Sequence, residues 1–139
     1  AAPAVCAMQP DHPLVAQQTI APGDLHEQPL IALAQRHARR AQLDKVLHGA
    51  KSVPRVMAEV STSFAAVDLV REGVGLTIVN PFPIVHYRSA EVAFRQFLSK
   101  IEYRSYFIIS DQRPASRIAR AFMRHQQLHT VNDRFSRRA

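Results

Sequence analysis

Three consecutive short hydroxyl side chains, Ser61, Thr62 and Ser63, are the residues of this sequence best suited to bind a small ligand. They precede an apolar stripe of helical spacing, so they stand where a helix is expected to begin. The first backbone N–H groups of a helix lack intrahelical partners and attract anions, and neighbouring hydroxyls can join them in binding a carboxylate. Capping the helix needs only one hydroxyl, and capping alone is the alternative interpretation. The following Phe64 belongs to the same candidate site.

A second candidate set, Asn80, Pro81 and Phe82, follows a short run rich in β-branched residues at positions 76–79. In open α/β sheets, ligands bind beyond the carboxyl ends of the strands. The Asn80 amide can hydrogen-bond a polar ligand there, and the Phe82 ring can form a wall of the cleft. The alternative interpretation is a proline-locked turn with Phe82 in the core.

No residue pattern in the sequence supports catalysis. His125 and His129 have the spacing of a metal clamp on a helix, but the sequence around them shows no zinc-protease motif, which favours a solvated tail. Cys6 lies in an apolar run, which predicts a small buried side chain. Because it is the single cysteine, no disulfide is expected within the chain. We therefore predict no enzymatic activity, no metal and no cofactor. A chain without disulfides also fits the cytoplasm.

The positive charge of the chain is concentrated at its end. The formal net charge is +7, yet residues 1–112 contain 11 Lys and Arg against 10 acids, whereas residues 113–139 contain 7 Arg against Asp133 alone. No zinc-finger, basic-zipper or aromatic RNA-binding pattern accompanies these arginines. The distribution favours a solvated helix face followed by a basic tail over sequence-specific DNA binding by this segment.

The candidate sites lie between strands and helices that alternate along the chain. Helical spacing predicts a helix over residues 35–48 ended by Gly49, a second from the hydroxyl triplet to Arg71 closed by Gly73, and a last one capped by Ser116. Apolar runs predict strands at residues 5–8, 30–33, 56–60, 76–79 and 106–109. Asp24 is expected to cap a short turn that follows it. Residues 92–103 fit either type, and their periodicity favours a helix. The alternation predicts an α/β domain with a largely parallel sheet.

The size of the chain limits it to a single domain. It has 139 residues, of which 47% are apolar, enough for one compact core. Its apolar runs, including the one around residues 76–79, are far shorter than the roughly 20 residues that span a bilayer, so no membrane helix is expected. The first eight residues lack the basic start of an export signal, and we interpret the beginning as a cut in a longer chain.

Several motifs together resemble the second half of the effector-binding domain of LysR-type transcriptional regulators, over about residues 5–126. They are Asp11-His12-Pro13-Leu14, Gly23-Asp24-Leu25 before Pro29-Leu30-Ile31, the run LVREGVGLTIVNP at 69–81, and Arg113-Pro114-Ala115-Ser116. Their order and spacing are more specific than any one of them. Asn80-Pro81-Phe82 and the Arg-Pro-Ala-Ser turn are most similar to the branch of regulators that respond to the opines octopine and nopaline.

The resemblance implies one lobe of a two-lobe effector domain similar to a type 2 periplasmic binding protein, plus the C-terminal helix. Residues 1–10 would be a crossover strand, 11–104 the second lobe, 105–127 the returning crossover strand and the C-terminal helix, and 128–139 a basic tail. The likeness makes residues 92–96 a strand, against their periodicity. Because the family's cleft also draws on the loop after the strand at 30–33, Ala34 and Gln35 join the candidate site.

The function implied is the sensing of a small carboxylate or amino-acid-like metabolite by a regulator that works as a dimer or tetramer. Such a regulator reads DNA through a helix-turn-helix domain that this chain lacks. Two alternatives stay open from the residues: a lobe of a solute-binding protein of a transporter, and a free-standing lobe that acts as an interaction module.

Overall fold

The computed structural model describes residues 1–84, 90–104, 106–109 and 115–129 of the chain. Its helices are α1 (Ala38–Gly49), α2 (Ser63–Arg71) and α3 (Arg117–His129), with short 3₁₀ helices at Pro13–Ala16, Pro22–Leu25 and Phe82–Ile84. Its strands are β1 (Ala2–Pro3), β2 (Val5–Met8), β3 (Thr19–Ile20), β4 (Pro29–Leu33), β5 (Arg55–Val60), β6 (Thr77–Val79), β7 (Ala93–Phe97) and β8 (Glu102–Tyr103). The described part is an α/β domain, as predicted.

The strands form a mixed sheet whose parallel half carries the candidate site. β4 pairs in parallel with β5, and a parallel bridge between Leu30 and Leu76 joins β4 to the start of β6. β2 is antiparallel to both β6 and β7, and β7 runs parallel to β3. The prediction of a largely parallel sheet therefore holds for β5, β4 and β6 and is wrong for β2. Separately, β1 and β8 form a short antiparallel pair.

Both faces of the sheet are covered by helices, which explains why the central strands are apolar throughout. All four residues of β2 are fully buried. Cys6 and Met8 contribute to a core cluster that includes Leu43 and Leu47 of α1. The alternate β2 residues belong to a second cluster, with Ala66, Val67 and Val70 of α2. The period of two along a strand thus divides β2 between the two helix layers.

The two helices next to the site end in similar backbone motifs with different residues. α2 ends as predicted, because Gly73 has a φ of 76° and the Val74 N–H donates to the Leu69 carbonyl. α1 was predicted to stop at Gly49, but Gly49 is still helical and the left-handed residue is Lys51, with a φ of 53°. The chain therefore places a non-glycine residue where glycine would be least strained.

The remaining turns differ in detail from the expectations. The turn predicted to start at Asp24 is the 3₁₀ helix Pro22–Leu25, and the Asp24 carboxylate accepts from the Ala21 N–H at 2.7 Å. β7 covers Ala93–Phe97, which confirms, one residue later, the strand implied by the resemblance over the helix favoured by periodicity. Gly75 lies where an added Cβ would collide with the Pro29 carbonyl oxygen, so the approach of β6 to β4 requires glycine.

The end of the described chain departs most from the predictions. Residues 106–109 form no strand and their side chains are about half or more exposed, with Ile108 at 94%. A strand needs a hydrogen-bonding neighbour, and none of the described residues supplies one. α3 begins where predicted, because the Ser116 hydroxyl accepts from the Ala119 N–H at 3.1 Å. The turn at Arg113-Pro114 and the basic tail from residue 130 lie outside the described residues.

Candidate functional site

The candidate residues follow three parallel neighbouring strands, so they lie at one edge of the sheet. Residues 34–36 follow β4, residues 61–63 follow β5 and residues 80–82 follow β6. The Ala34 N–H donates to the Val60 carbonyl at 2.8 Å, which continues the β4–β5 pairing up to the loops. The first two loops are therefore adjacent at the carboxyl edge, where open α/β sheets hold ligands.

The three hydroxyls take different roles at the start of α2. Thr62 is the N-cap, and its Oγ1 accepts from the Ala65 N–H at 3.2 Å. Ser63 opens the helix and Ser61 lies outside it, so capping leaves two of the three hydroxyls for other partners. The first helical hydrogen bond runs from the Ala66 N–H to the Thr62 carbonyl. The N–H groups of Ser63 and Phe64 precede that bond and stand free of the intrahelical ladder.

A cation that the sequence reasoning missed lies beside this helix start. The Arg36 Nη2 donates to the Ser61 Oγ at 2.8 Å across the two loops. Within the described residues Arg36 forms no ion pair, whereas Arg40 and Arg71 both contact carboxylates. Arg36 stands next to the predicted Gln35, but nothing in a single sequence links it to a serine 25 positions away. Its uncompensated guanidinium adds to the positive potential of the helix start.

The residues predicted around Arg36 are accessible. Gln35 is exposed and Ala34 is half-buried at the end of β4, while the Phe64 side chain is 51% exposed on the first turn of α2. The edge thus presents a guanidinium, hydroxyls, free N–H groups and an aromatic ring to solvent. This combination suits a small anion with an apolar part.

The loop after β6 has the geometry of the alternative interpretation. The Asn80 Oδ1 accepts from the Phe82 N–H at 3.1 Å, which closes a side-chain turn around Pro81. Pro81 is buried, and Phe82 is half-buried against the core cluster that contains Cys6 and Ile78. A ligand role for these three residues stays a prediction.

Beneath the site, Arg40 links α1 to the ends of two strands. Its Nη1 donates to the Leu33 carbonyl at 2.9 Å and to the Glu59 carboxylate at 2.7 Å, and its Nε contacts the Asp44 carboxylate at 2.9 Å. The side chain is only 10% exposed. Burial opposes the charge, but the carboxylates of Glu59 and Asp44 outweigh it and raise the pKa of Arg40.

Elsewhere the described residues hold no further constellation for chemistry. Cys6 is fully buried, and burial together with the charge of Asp24 raises the pKa of its thiol, which makes it a poor nucleophile. No group of three metal-ligating side chains occurs in the described part of the chain, where the side chain of His129 is not included. None of the described helices is long and apolar enough to cross a membrane.

Over most of its length the chain is similar to known regulatory proteins. Residues 1–129 match the family described as the LysR substrate binding domain. The Escherichia coli transcriptional activator protein LysR is 28% identical over 88% of this chain, and the regulatory protein NocR of Agrobacterium tumefaciens is 29% identical over 86%. The chain spans only 40% of the length of either protein.

Two solved structures share the fold across nearly the whole chain. The regulatory domain of Synechocystis CcmR in complex with 2-PG superposes with a TM-score of 0.66 at 18% identity, over 94% of this chain and 64% of that one. The effector binding domain of QuiR in complex with shikimate gives a TM-score of 0.63 at 18% identity, over 92% and 63%. At this identity the likeness concerns the fold.

Proposed function

This chain belongs to the LysR substrate binding domain family, and from that premise we propose that it is the effector-binding part of a transcriptional regulator. The relatives over its length are regulatory proteins, which does not favour the alternative of a transporter's solute-binding lobe. The chain would act in the cytoplasm by binding a small metabolite, without catalysing a reaction. The regulator's DNA contacts would come from a helix-turn-helix domain outside this chain.

The observation that carries the proposal is the contact between Arg36 and Ser61 at the start of α2. It joins the loops after two parallel strands at the ligand edge of the sheet, and it places a guanidinium without an acidic partner in the described chain beside the N–H groups of Ser63 and Phe64. A guanidinium fork and a helix start both prefer a planar carboxylate. The site therefore favours an anionic effector.

The effector class follows from this chemistry, and the ligand of one protein of the same fold is of that class. Shikimate, bound by QuiR, is a carboxylate. A carboxylate or amino-acid-like metabolite, opines included, would place its anionic group against Ser61, Thr62, Ser63 and Arg36. Ala34, Gln35, Phe64 and the 80–82 loop would contact the rest of the molecule.

Regulation would work by a shift between arrangements of two lobes. We interpret residues 1–10 as a crossover segment, residues 11–104 as the second lobe, and residues 105–127 as the returning crossover and the C-terminal helix, which would pack on a first lobe outside this chain. An effector that contacts both lobes binds their closed arrangement better and raises its population. The change would reach DNA through a dimer or tetramer.

The exposed apolar side chains of α3 favour an interaction of this helix with a partner surface. Ile118 is 83% exposed and Phe122 55%, and the Phe107 ring packs edge-to-face on Phe122 with centroids 6.1 Å apart. Apolar surface of this kind usually marks an interaction site. The chain alone is therefore expected to associate in solution, and light scattering that shows only monomers at high concentration would contradict this.

An NMR titration of the chain with acetate, a minimal carboxylate, tests the site, with acetamide as the uncharged control. Acetate should shift the amide signals of Ser63 and Phe64 and the Nε signal of Arg36, and acetamide should not. Arg36→Gln should lower the affinity for acetate, as measured from these shifts, at least about tenfold, since a charge-assisted contact contributes roughly 1.5–3 kcal/mol. Arg117→Gln, an exposed arginine of α3, should leave them unchanged. Shifts that are absent, or equal in both variants, would disprove the site.

A further inference from the structure

We infer that Arg40 is a positioning residue that holds the Arg36–Ser61 pair in its anion-binding geometry without contacting the ligand. This inference rests on the proposed function of that site. Arg40 does not belong to the residues predicted from the sequence, and it lies beneath the loops instead of among them. Its role follows from where its hydrogen bonds end.

Both acceptors of the Arg40 Nη1 lie at the ends of the strands that lead into the site. One is the Leu33 carbonyl, on the last residue of β4, and the other is the Glu59 carboxylate, one residue before the end of β5. The next residues along the chain are the loops that carry Arg36 and Ser61. A single nitrogen thus links the two strand ends immediately before the two loops.

The same contact closes the loop that carries Arg36. Residues 34–37 connect β4 to α1, and Arg40 is in the first turn of α1. Its bond to the Leu33 carbonyl therefore ties the far side of this loop back to its start. Inside the loop, the His37 N–H donates to the Ala34 carbonyl at 2.9 Å. The loop is short and closed at both ends, which limits the positions open to the Arg36 backbone.

The two arginines of this region differ in the way that separates a binding group from a supporting one. Arg36 is exposed and its described partner is a neutral hydroxyl, so its charge is open to a ligand. The Arg40 side chain is 10% exposed and faces two carboxylates, which already use its charge. The planar guanidinium holds Nη1 against the two strand ends while its Nε contacts Asp44, and the flexible, compact ammonium of a lysine does not reproduce this rigid fork.

The test follows acetate binding by NMR in the 139-residue chain carrying Arg40→Met. We expect the affinity for acetate to fall about tenfold. The relaxation of the Arg36 Nε signal should show a more mobile side chain, while the amide signals of β2 and β7 keep their chemical shifts. The matched control is Arg71→Met, which removes an arginine paired with Glu91 at 3.2 Å far along α2 from the site. Its acetate affinity should equal that of the unmodified chain.

Two further variants keep the inference falsifiable. Removing Arg40 also uncovers the Glu59 and Asp44 carboxylates, which would repel an anion, so Arg40→Met/Asp44→Asn/Glu59→Gln separates repulsion from lost positioning. Affinity that stays low in this triple variant supports positioning, and affinity restored to the unmodified value overturns it. If Arg40→Met does not fold, Arg40→Lys should show a smaller loss with the same increase in Arg36 mobility, and unchanged affinity and mobility in Arg40→Lys would overturn the inference. Failure of the unmodified chain to bind acetate would instead refute the proposed function.

Discussion

Two four-residue segments of this chain, β2 at Val5–Met8 and residues 106–109, are both apolar but have opposite surroundings. All four β2 side chains are fully buried, whereas Tyr106 is 73% exposed and Ile108 94%. β2 has hydrogen-bonded neighbours on both sides, in β6 and β7. No described strand pairs with residues 106–109. An apolar run therefore forms a strand only where other segments supply hydrogen-bonding partners.

The largest expected difference between the segments is in thiol reactivity. Cys6 in β2 is buried with a raised pKa, so a disulfide reagent should reach it only when the domain unfolds. A cysteine introduced as Ile108→Cys should react at once. For a domain stable by about 5 kcal/mol, protection of Cys6 amounts to a factor of several thousand. The two rates can be read from one absorbance trace, and rates within a factor of ten would show that β2 opens locally.

Matched phenylalanine substitutions compare the two regions in free energy. Phe97 of β7 is fully buried, and Phe97→Ala should lower the free energy of unfolding by about 3–5 kcal/mol because it leaves a cavity. Phe107 is 49% exposed and contacts Phe122, so Phe107→Ala should cost less than about 1 kcal/mol. Urea denaturation measures both. A large loss for Phe107→Ala would mean that the segment is part of the cooperative fold.

These differences show what local sequence signals can and cannot predict. The sequence predicts a helix start at the hydroxyl triplet 61–63 and another at Ser116 because a cap depends on residues within one turn, and it predicts the helix end at Gly73 for the same reason. The prediction of a strand at residues 106–109 was wrong because strand formation depends on distant partners. The prediction of a largely parallel sheet was wrong at β2, which lies antiparallel between β6 and β7, since the sequence of a single strand carries no signal for its neighbours.

The candidate site divides along the same line. The hydroxyl triplet could be found from type and position, and the loop after β4 came only from resemblance to a family. The contact of Arg36 with Ser61 depends on the register of β4 against β5, and the network of Arg40 depends on the packing of α1 over both strands. Neither is encoded by a spacing along the chain, so the charged part of the site became visible only in the fold.

A smaller effect should appear in the alkaline stability of the core. The thiol of Cys6 has a raised pKa in the folded chain, chiefly through burial, while an unfolded thiol ionises with a pKa near about 8.5. Above that pH the unfolded chain releases a proton that the folded chain keeps, so stability falls as pH rises. The loss should reach about 2 kcal/mol by roughly pH 10. Cys6→Ala should flatten the decline in urea titrations, and an equal slope in both proteins would assign it to other groups.

The smallest comparison uses two helix caps of the same kind in the two regions. The Thr62 hydroxyl accepts from the Ala65 N–H at 3.2 Å, and the Ser116 hydroxyl accepts from the Ala119 N–H at 3.1 Å. α2 packs Ala66, Val67 and Val70 into the core, so its start is coupled to the whole domain. Thr62→Ala should therefore lower global stability by about 1 kcal/mol.

Ser116→Ala should leave global stability unchanged and lower only the helix content of α3, because an exposed helix can fray while the core stays folded. A urea titration followed both by far-ultraviolet circular dichroism and by the NMR amide signals of core residues distinguishes the two results. Equal losses of global stability would show that α3 is packed as tightly as α2, and the contrast between the two regions would then disappear.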